Sequence, residues 1–68
     1  MKWFWCLHCE RIQRQKHIPL KCKFRDCDGH FGDLIPLCRR AIAELRAQGR
    51  LREGERLTYD EMAELCYS

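Results

Sequence analysis

The sequence predicts a small α+β domain, an N-terminal β-hairpin followed by two short α-helices, stapled by a bound metal ion more than by its core. Three observations predict it. Four cysteines fall in two close pairs, Cys6 with Cys9 and Cys22 with Cys27, a spacing that lets two tight chain reversals each present two sulfurs to one tetrahedral ion. The chain has 68 residues, and a domain below roughly 70 to 80 residues seldom buries enough apolar surface to outweigh chain entropy unaided. Its hydrophobic pattern also changes period, from two in the first half to that of a helix after Gly32.

The elements follow in order. Trp3-Phe4-Trp5 is aromatic throughout and predicts a first strand, with Trp3 and Trp5 on one face and Phe4 on the other. From Arg11 to Cys22 a hairpin-like loop with a basic tip is expected, Ile12 on its outward arm and Ile18 and Leu20 on its return. Ile18, Leu20 and Cys22 alternate with Pro19 and Lys21, so a strand would run into the second cysteine pair, with Pro19 on an edge. Asp28-Gly29 and Gly32 then turn the chain away from the metal.

Leu34, Cys38, Ala41 and Leu45 form a stripe with Ile35 and Ile42 beside it, which predicts an amphipathic helix over 33–49. Asp33 would be its N-cap, Pro36 would sit in its first turn and Gly49 would close it. Thr58 and Glu61 form a capping box, with Leu57 and Met62 at the flanking staple positions. A second helix is therefore expected over 58–67, its buried side Met62, Leu65 and Cys66, packed on the first helix or on the ribbon. Cys38 and Cys66 have no short-spaced partner and read as small core hydrophobes or free thiols. The whole chain, 1–68, reads as one domain.

The expected cofactor is one structural Zn²⁺ on Cys6, Cys9, Cys22 and Cys27, with His30 as a substitute for Cys27 because imidazole also binds zinc. Such a site supplies on the order of 10 to 16 kcal/mol of apparent binding free energy, so the metal-free chain should be largely unfolded. Three disulfides are the alternative use of the six cysteines. The N-terminal apolar stretch stops at Cys6, too short for a secretory signal, and this argues for a reducing, cytoplasmic setting in which thiolates favour metal. No apolar run approaches the ~20 residues a membrane span requires. A four-thiolate site leaves no coordination position for water or substrate. With no phosphate-binding loop, H-E-x-x-H or nucleophile elbow, the expectation is that the chain is not an enzyme and takes no small-molecule substrate.

That leaves binding. The formal charge is +3, but four thiolates on one Zn²⁺ shift it by two negative units, to about +1. Its distribution is uneven: residues 53–68 carry one Arg against five acids. Between Arg11 and Arg25 there is no acid, and Arg11, Arg14, Lys16, Lys21, Lys23 and Arg25 lie near Trp3, Phe4, Trp5 and Phe24. Cations for phosphates beside aromatics for base stacking suit single-stranded nucleic acid. The competing reading, placed first, is a protein-interaction or adaptor module that uses an apolar helix face left uncovered.

Trp5-Cys6-Leu7-His8-Cys9-Glu10-Arg11 and Leu20-Lys21-Cys22 resemble the zinc ribbons, small hairpin modules in which two knuckles hold one structural zinc. The resemblance covers residues 3–32 and implies a four-thiolate zinc and a role in protein or nucleic-acid binding. Rubredoxins share the four-sulfur plan with iron, so a thiol or iron redox protein is the remaining alternative.

Overall fold

The structure, a computed structural model, describes residues 2–17 and 20–67. Strand β1 (Lys2–Cys6) is central in a three-stranded antiparallel sheet of order β2-β1-β3, with β2 (Ile12–Gln15) and β3 (Leu34–Pro36) on its edges. Helices α1 (Arg39–Ala47) and α2 (Tyr59–Tyr67) follow.

Alternation along β1 assigns the two faces of the sheet to different cores. On one face Trp3 and Trp5 stand opposite Arg14 and Ile12 of β2, and Trp5 opposite Ile35 of β3. Trp5 and Ile12 are fully buried there with Leu37, Ala41, Leu45, Leu57 and Met62. On the other face Phe4 pairs with Gln13 and Pro36, and Cys6 with Leu34. There Cys6 and Leu34 are buried with Cys22 and Cys27, and Cys9 and Phe24 pack against them. The first strand and its division of aromatic residues are thus as the sequence predicts.

Three expectations need correction. The hairpin is made by β1 and β2 around the Leu7–Glu10 turn, not by an arm returning through Leu20; Leu20 is 85% exposed, and Lys21 makes only an isolated bridge to His30. The return strand's Ile18 and Pro19 lie outside the described residues.

Second, the helix expected over 33–49 begins at Arg39. Phe31–Asp33 is a 3₁₀ turn and Leu34–Pro36 an edge strand. Pro36 explains the shift: it disfavours helical geometry at Ile35 and has no N–H to donate to a ladder, which suits an edge. Asp33 is therefore no helix cap, although its carboxylate accepts from the His30 N–H (2.9 Å).

Third, of the two readings of Cys38 the structure bears out the free thiol and not the core hydrophobe on the helix's apolar stripe. Cys38 is the exposed N-cap of α1, its Sγ accepting from the Ala41 N–H (3.4 Å).

The other helix signals hold. Gly49 has φ +71, a left-handed conformation that glycine tolerates. Around it Arg50 N–H donates to the Leu45 carbonyl (2.8 Å) and Gly49 N–H to the Arg46 carbonyl (3.1 Å), the paired bonds of a Schellman ending. Thr58 Oγ1 accepts from the Glu61 N–H (3.2 Å), and the Thr58 N–H reaches back to Glu61 Oε1 (3.4 Å). Met62 is buried, with Leu65 and Cys66 packed against the same cluster.

Residues 54–57 fasten α2 to the ribbon. Ile12 N–H donates to the Glu55 carbonyl (3.0 Å), Gly54 N–H to the Ile12 carbonyl (2.8 Å) and Leu57 N–H to the Glu10 carbonyl (2.8 Å). The Trp5 indole N–H donates to the Leu57 carbonyl, and Glu10 Oε2 accepts from the Tyr59 N–H (3.0 Å) at the start of α2. Among the described residues no helix is long and apolar enough to cross a membrane.

Candidate metal centre

Each cysteine pair lies on a reversal whose backbone hydrogen bonds bring the sulfurs inward. In the first, Glu10 N–H donates to the Cys6 carbonyl (2.8 Å) and Cys6 N–H to the Arg11 carbonyl (3.1 Å). The turn forces Glu10 to φ +57, a conformation few side chains other than glycine, Asn and Asp adopt readily. In the second, Cys27 N–H donates to the Phe24 carbonyl (3.2 Å) and Cys22 N–H to the Gly29 carbonyl (3.0 Å).

The sulfurs of Cys6, Cys9, Cys22 and Cys27 all lie within 4.8 Å of one another. Cys6 and Cys27 are 3.6 Å apart, and Cys9 and Cys22 are 3.8 Å apart. A tetrahedron of sulfurs about 2.3 Å from a central zinc has edges of about 3.8 Å. These two contacts are therefore the size of opposite edges, each joining one reversal to the other. The four cysteines can hold a metal ion, and the donor set is all sulfur.

The surroundings fit a charged sulfur cluster. Gly29 N–H points at Cys27 Sγ (3.4 Å). A Cβ added at Gly29 would lie 3.0 Å from Cys6 Sγ and 3.3 Å from Cys27 Sγ, so the position needs glycine for space. Gln13, fully buried, donates from Nε2 to Cys22 Sγ (3.2 Å), while its Oε1 accepts from Lys23 N–H (2.9 Å) and Gln15 Nε2 (2.8 Å). His8 Nδ1 lies 3.6 Å from Cys27 Sγ. The Arg11 guanidinium is raised above its ordinary range by Asp26 (2.7 Å) and by the Cys9 sulfur beside it. Arg11 Nε is buried without a hydrogen-bond acceptor, a cost that negative charge on Cys9 would offset.

The thiols themselves diverge. Burial pushes Cys27 up to about 12 and raises Cys6 as well. Burial also opposes ionisation of Cys22, but the Gln13 amide and the Phe24 backbone N–H outweigh it and bring Cys22 below its ordinary value. Since metal ligation needs thiolates, an incoming ion must displace protons from Cys6 and Cys27.

The other sequence candidates are placed as follows. His30 is exposed at the start of the 3₁₀ turn and is not grouped with the four sulfurs. Arg11 and Lys23 are in ion pairs, with Asp26 (2.7 Å) and Glu53 (2.8 Å). Arg11 also lies over the Phe24 ring, and Arg14 over Trp3 on the opposite face of the sheet. Lys16, Lys21 and Arg25 are exposed. Lys21, Lys23 and Arg25 line one surface groove with Phe24, whereas Arg14 lies on the other face of the sheet. Gln13 and Glu10 went unrecognised from sequence, and Gly29 was read as a turn residue without its place beside the sulfurs. Gly29, two residues after Cys27, carried a signal in its spacing, whereas Gln13 lay within a run that looked like a solvated loop.

Comparison with protein-family models, with curated proteins and with solved structures finds no match to this chain.

Proposed function

We propose that this chain is a small binding module built on a structural zinc held by Cys6, Cys9, Cys22 and Cys27, working through a protein partner and catalysing no reaction. The observation that carries the reading is the meeting of four cysteine sulfurs within 4.8 Å. An all-thiolate site of four ligands is closed, and closed sites hold folds together. Zinc is favoured over iron because a site serving only to join two reversals needs no redox chemistry.

A protein partner is supported by where apolar surface remains exposed. Ala41, Leu45 and Met62 face the core, and on α2 it is Tyr59 and Tyr67 that remain exposed. Leu7 and Phe31 are 47% and 57% exposed, on neighbouring turns joined by the Leu7 N–H bond to the Asp33 carbonyl (2.7 Å). Nucleic-acid binding is the less supported alternative, since two of its six cations are already paired.

Native mass spectrometry with elemental analysis tests the metal, and circular dichroism during chelation tests its structural role. One zinc per chain with structure lost on chelation is the expected result. Iron, or a metal-free chain oxidised at all six cysteines, would overturn it. Affinity for a single-stranded oligonucleotide that falls steeply with salt, and disappears when Arg14, Lys16 and Lys21 are replaced by Ala, would replace the protein partner with nucleic acid.

A further inference from the structure

The two cysteines outside the metal centre meet in the fold. α1 and α2 run antiparallel, so that Cys38 at the N-cap of α1 and Cys66 in the last turn of α2 hold their sulfurs 3.6 Å apart. A disulfide needs about 2.05 Å between sulfurs. The two sulfurs are therefore in contact but unbonded, and both can be reached, Cys38 being exposed and Cys66 only half-buried. Beside Cys38 lies an open groove of about 380 Å³, lined by Trp3, Leu37 and Ile42 and flanked by Lys2 and Arg39.

We propose that Cys38 and Cys66 form a thiol–disulfide exchange site, separate from the four-sulfur cluster, that reacts once with a small carboxylate-bearing disulfide and is left as an intrachain bond joining the two helices. The Cys38 thiolate attacks one sulfur of R–S–S–R, forming Cys38–S–S–R and expelling R–S⁻, which takes up a proton. Cys66 releases its proton to solvent and its sulfur displaces the second R–S⁻ from Cys38. Two protein thiols are oxidised to one disulfide, and one small disulfide is reduced to two thiols.

The roles are set by position. The Ala41 N–H (3.4 Å), with a weaker contribution from the Arg40 backbone, brings Cys38 below the ordinary thiol value, whereas burial raises Cys66. The exposed thiolate at a helix start is therefore the attacking group and the shielded thiol the resolving one. Lys2 and Arg39 favour carboxylates on the incoming molecule, and the apolar floor accepts its carbon chain.

The test is incubation of the metal-loaded protein with oxidised glutathione, followed by intact-mass and peptide analysis. Wild type should lose two hydrogens, retain its metal and yield a Cys38–Cys66 linked peptide. Cys66→Ser should stop at a glutathione adduct on Cys38. Cys38→Ser, which keeps a good N-cap and should fold, should gain neither product. Cystamine, a cationic disulfide of similar reactivity, should react about tenfold more slowly. A disulfide within the cluster accompanied by metal release, or first attack by Cys66, would overturn the site. Equal rates with the two reagents would overturn the carboxylate preference. Because metal retention and the Cys38–Cys66 linkage are read separately, failure of the zinc reading is distinguishable from failure of this one.

Discussion

On one face of the sheet Trp5, Ile12, Leu45, Leu57 and Met62 form a fully buried apolar core; on the other, Cys6, Cys22 and Cys27 are buried with Leu34, Phe4 and Gln13, and Phe24 partly covers them. The first face has two helices over it, each with its own N-terminal cap, at Cys38 and at Thr58. The second is closed by loops whose backbone is directed at sulfur. One strand, β1, supplies both, with Trp5 and Cys6 adjacent in sequence and opposite in direction. The helical face gains stability in proportion to the apolar area it removes from water. The sulfur face could gain it in a single step, if a metal took the place of the thiol protons on the four cysteines. The contrast is between a diffuse source of stability and a site able to hold a concentrated one, both anchored to the same strand.

Chelation separates the two most sharply. Removing the metal should cost on the order of 10 to 16 kcal/mol of apparent binding free energy and unfold both faces together, seen as loss of near-ultraviolet signal from Trp5 and of helical signal. A surviving helical signal would mean that the hydrocarbon face stands alone. Because burial raises Cys6 and Cys27, these ligands are protonated before metal binds. Apparent affinity should therefore fall as pH falls, with proton release measurable on binding at neutral pH.

Leu45→Ala leaves a cavity in the fully buried helical face and should cost about 2–5 kcal/mol in denaturant unfolding, with metal stoichiometry unchanged. Gly29→Ala strikes only the other face: the new Cβ crowds two sulfurs, and about 1–3 kcal/mol should be lost, together with metal affinity. Gln13→Ala removes the amide donor to Cys22 and should weaken metal binding by about 10–100-fold with the fold retained. Thr58→Ala, which removes only the cap of α2, should cost about 1 kcal/mol and leave the metal untouched.

How much could be read in advance depended on whether a signal was local. The capping box at Thr58 and Glu61 and the Gly49 ending each satisfy backbone groups within a few residues, so spacing revealed them, and the aromatic strand was legible from its alternation and residue types. Leu34-Ile35-Pro36-Leu37 did not disclose its period, because a short apolar run fits a strand or a helix equally well. Its use as an edge strand depends on β1, whose sequence lies far away. Gln13 looked like a loop residue because the sulfur that it hydrogen-bonds, Cys22, lies nine residues on and meets it only when the second reversal folds against β2.

From the sequence alone it followed that four cysteines would share one neighbourhood, that two helices would follow a β-hairpin, and that the second helix would be capped at Thr58. Those outcomes rest on short-range spacing. Only the tertiary structure decided that the sheet has a third strand and that Gly29 is needed for room beside two sulfurs. It alone decided that Cys38 and Cys66 face each other across the helix pair. Each of these depends on contacts between segments far apart in sequence, and such contacts exist only once the chain has closed on itself.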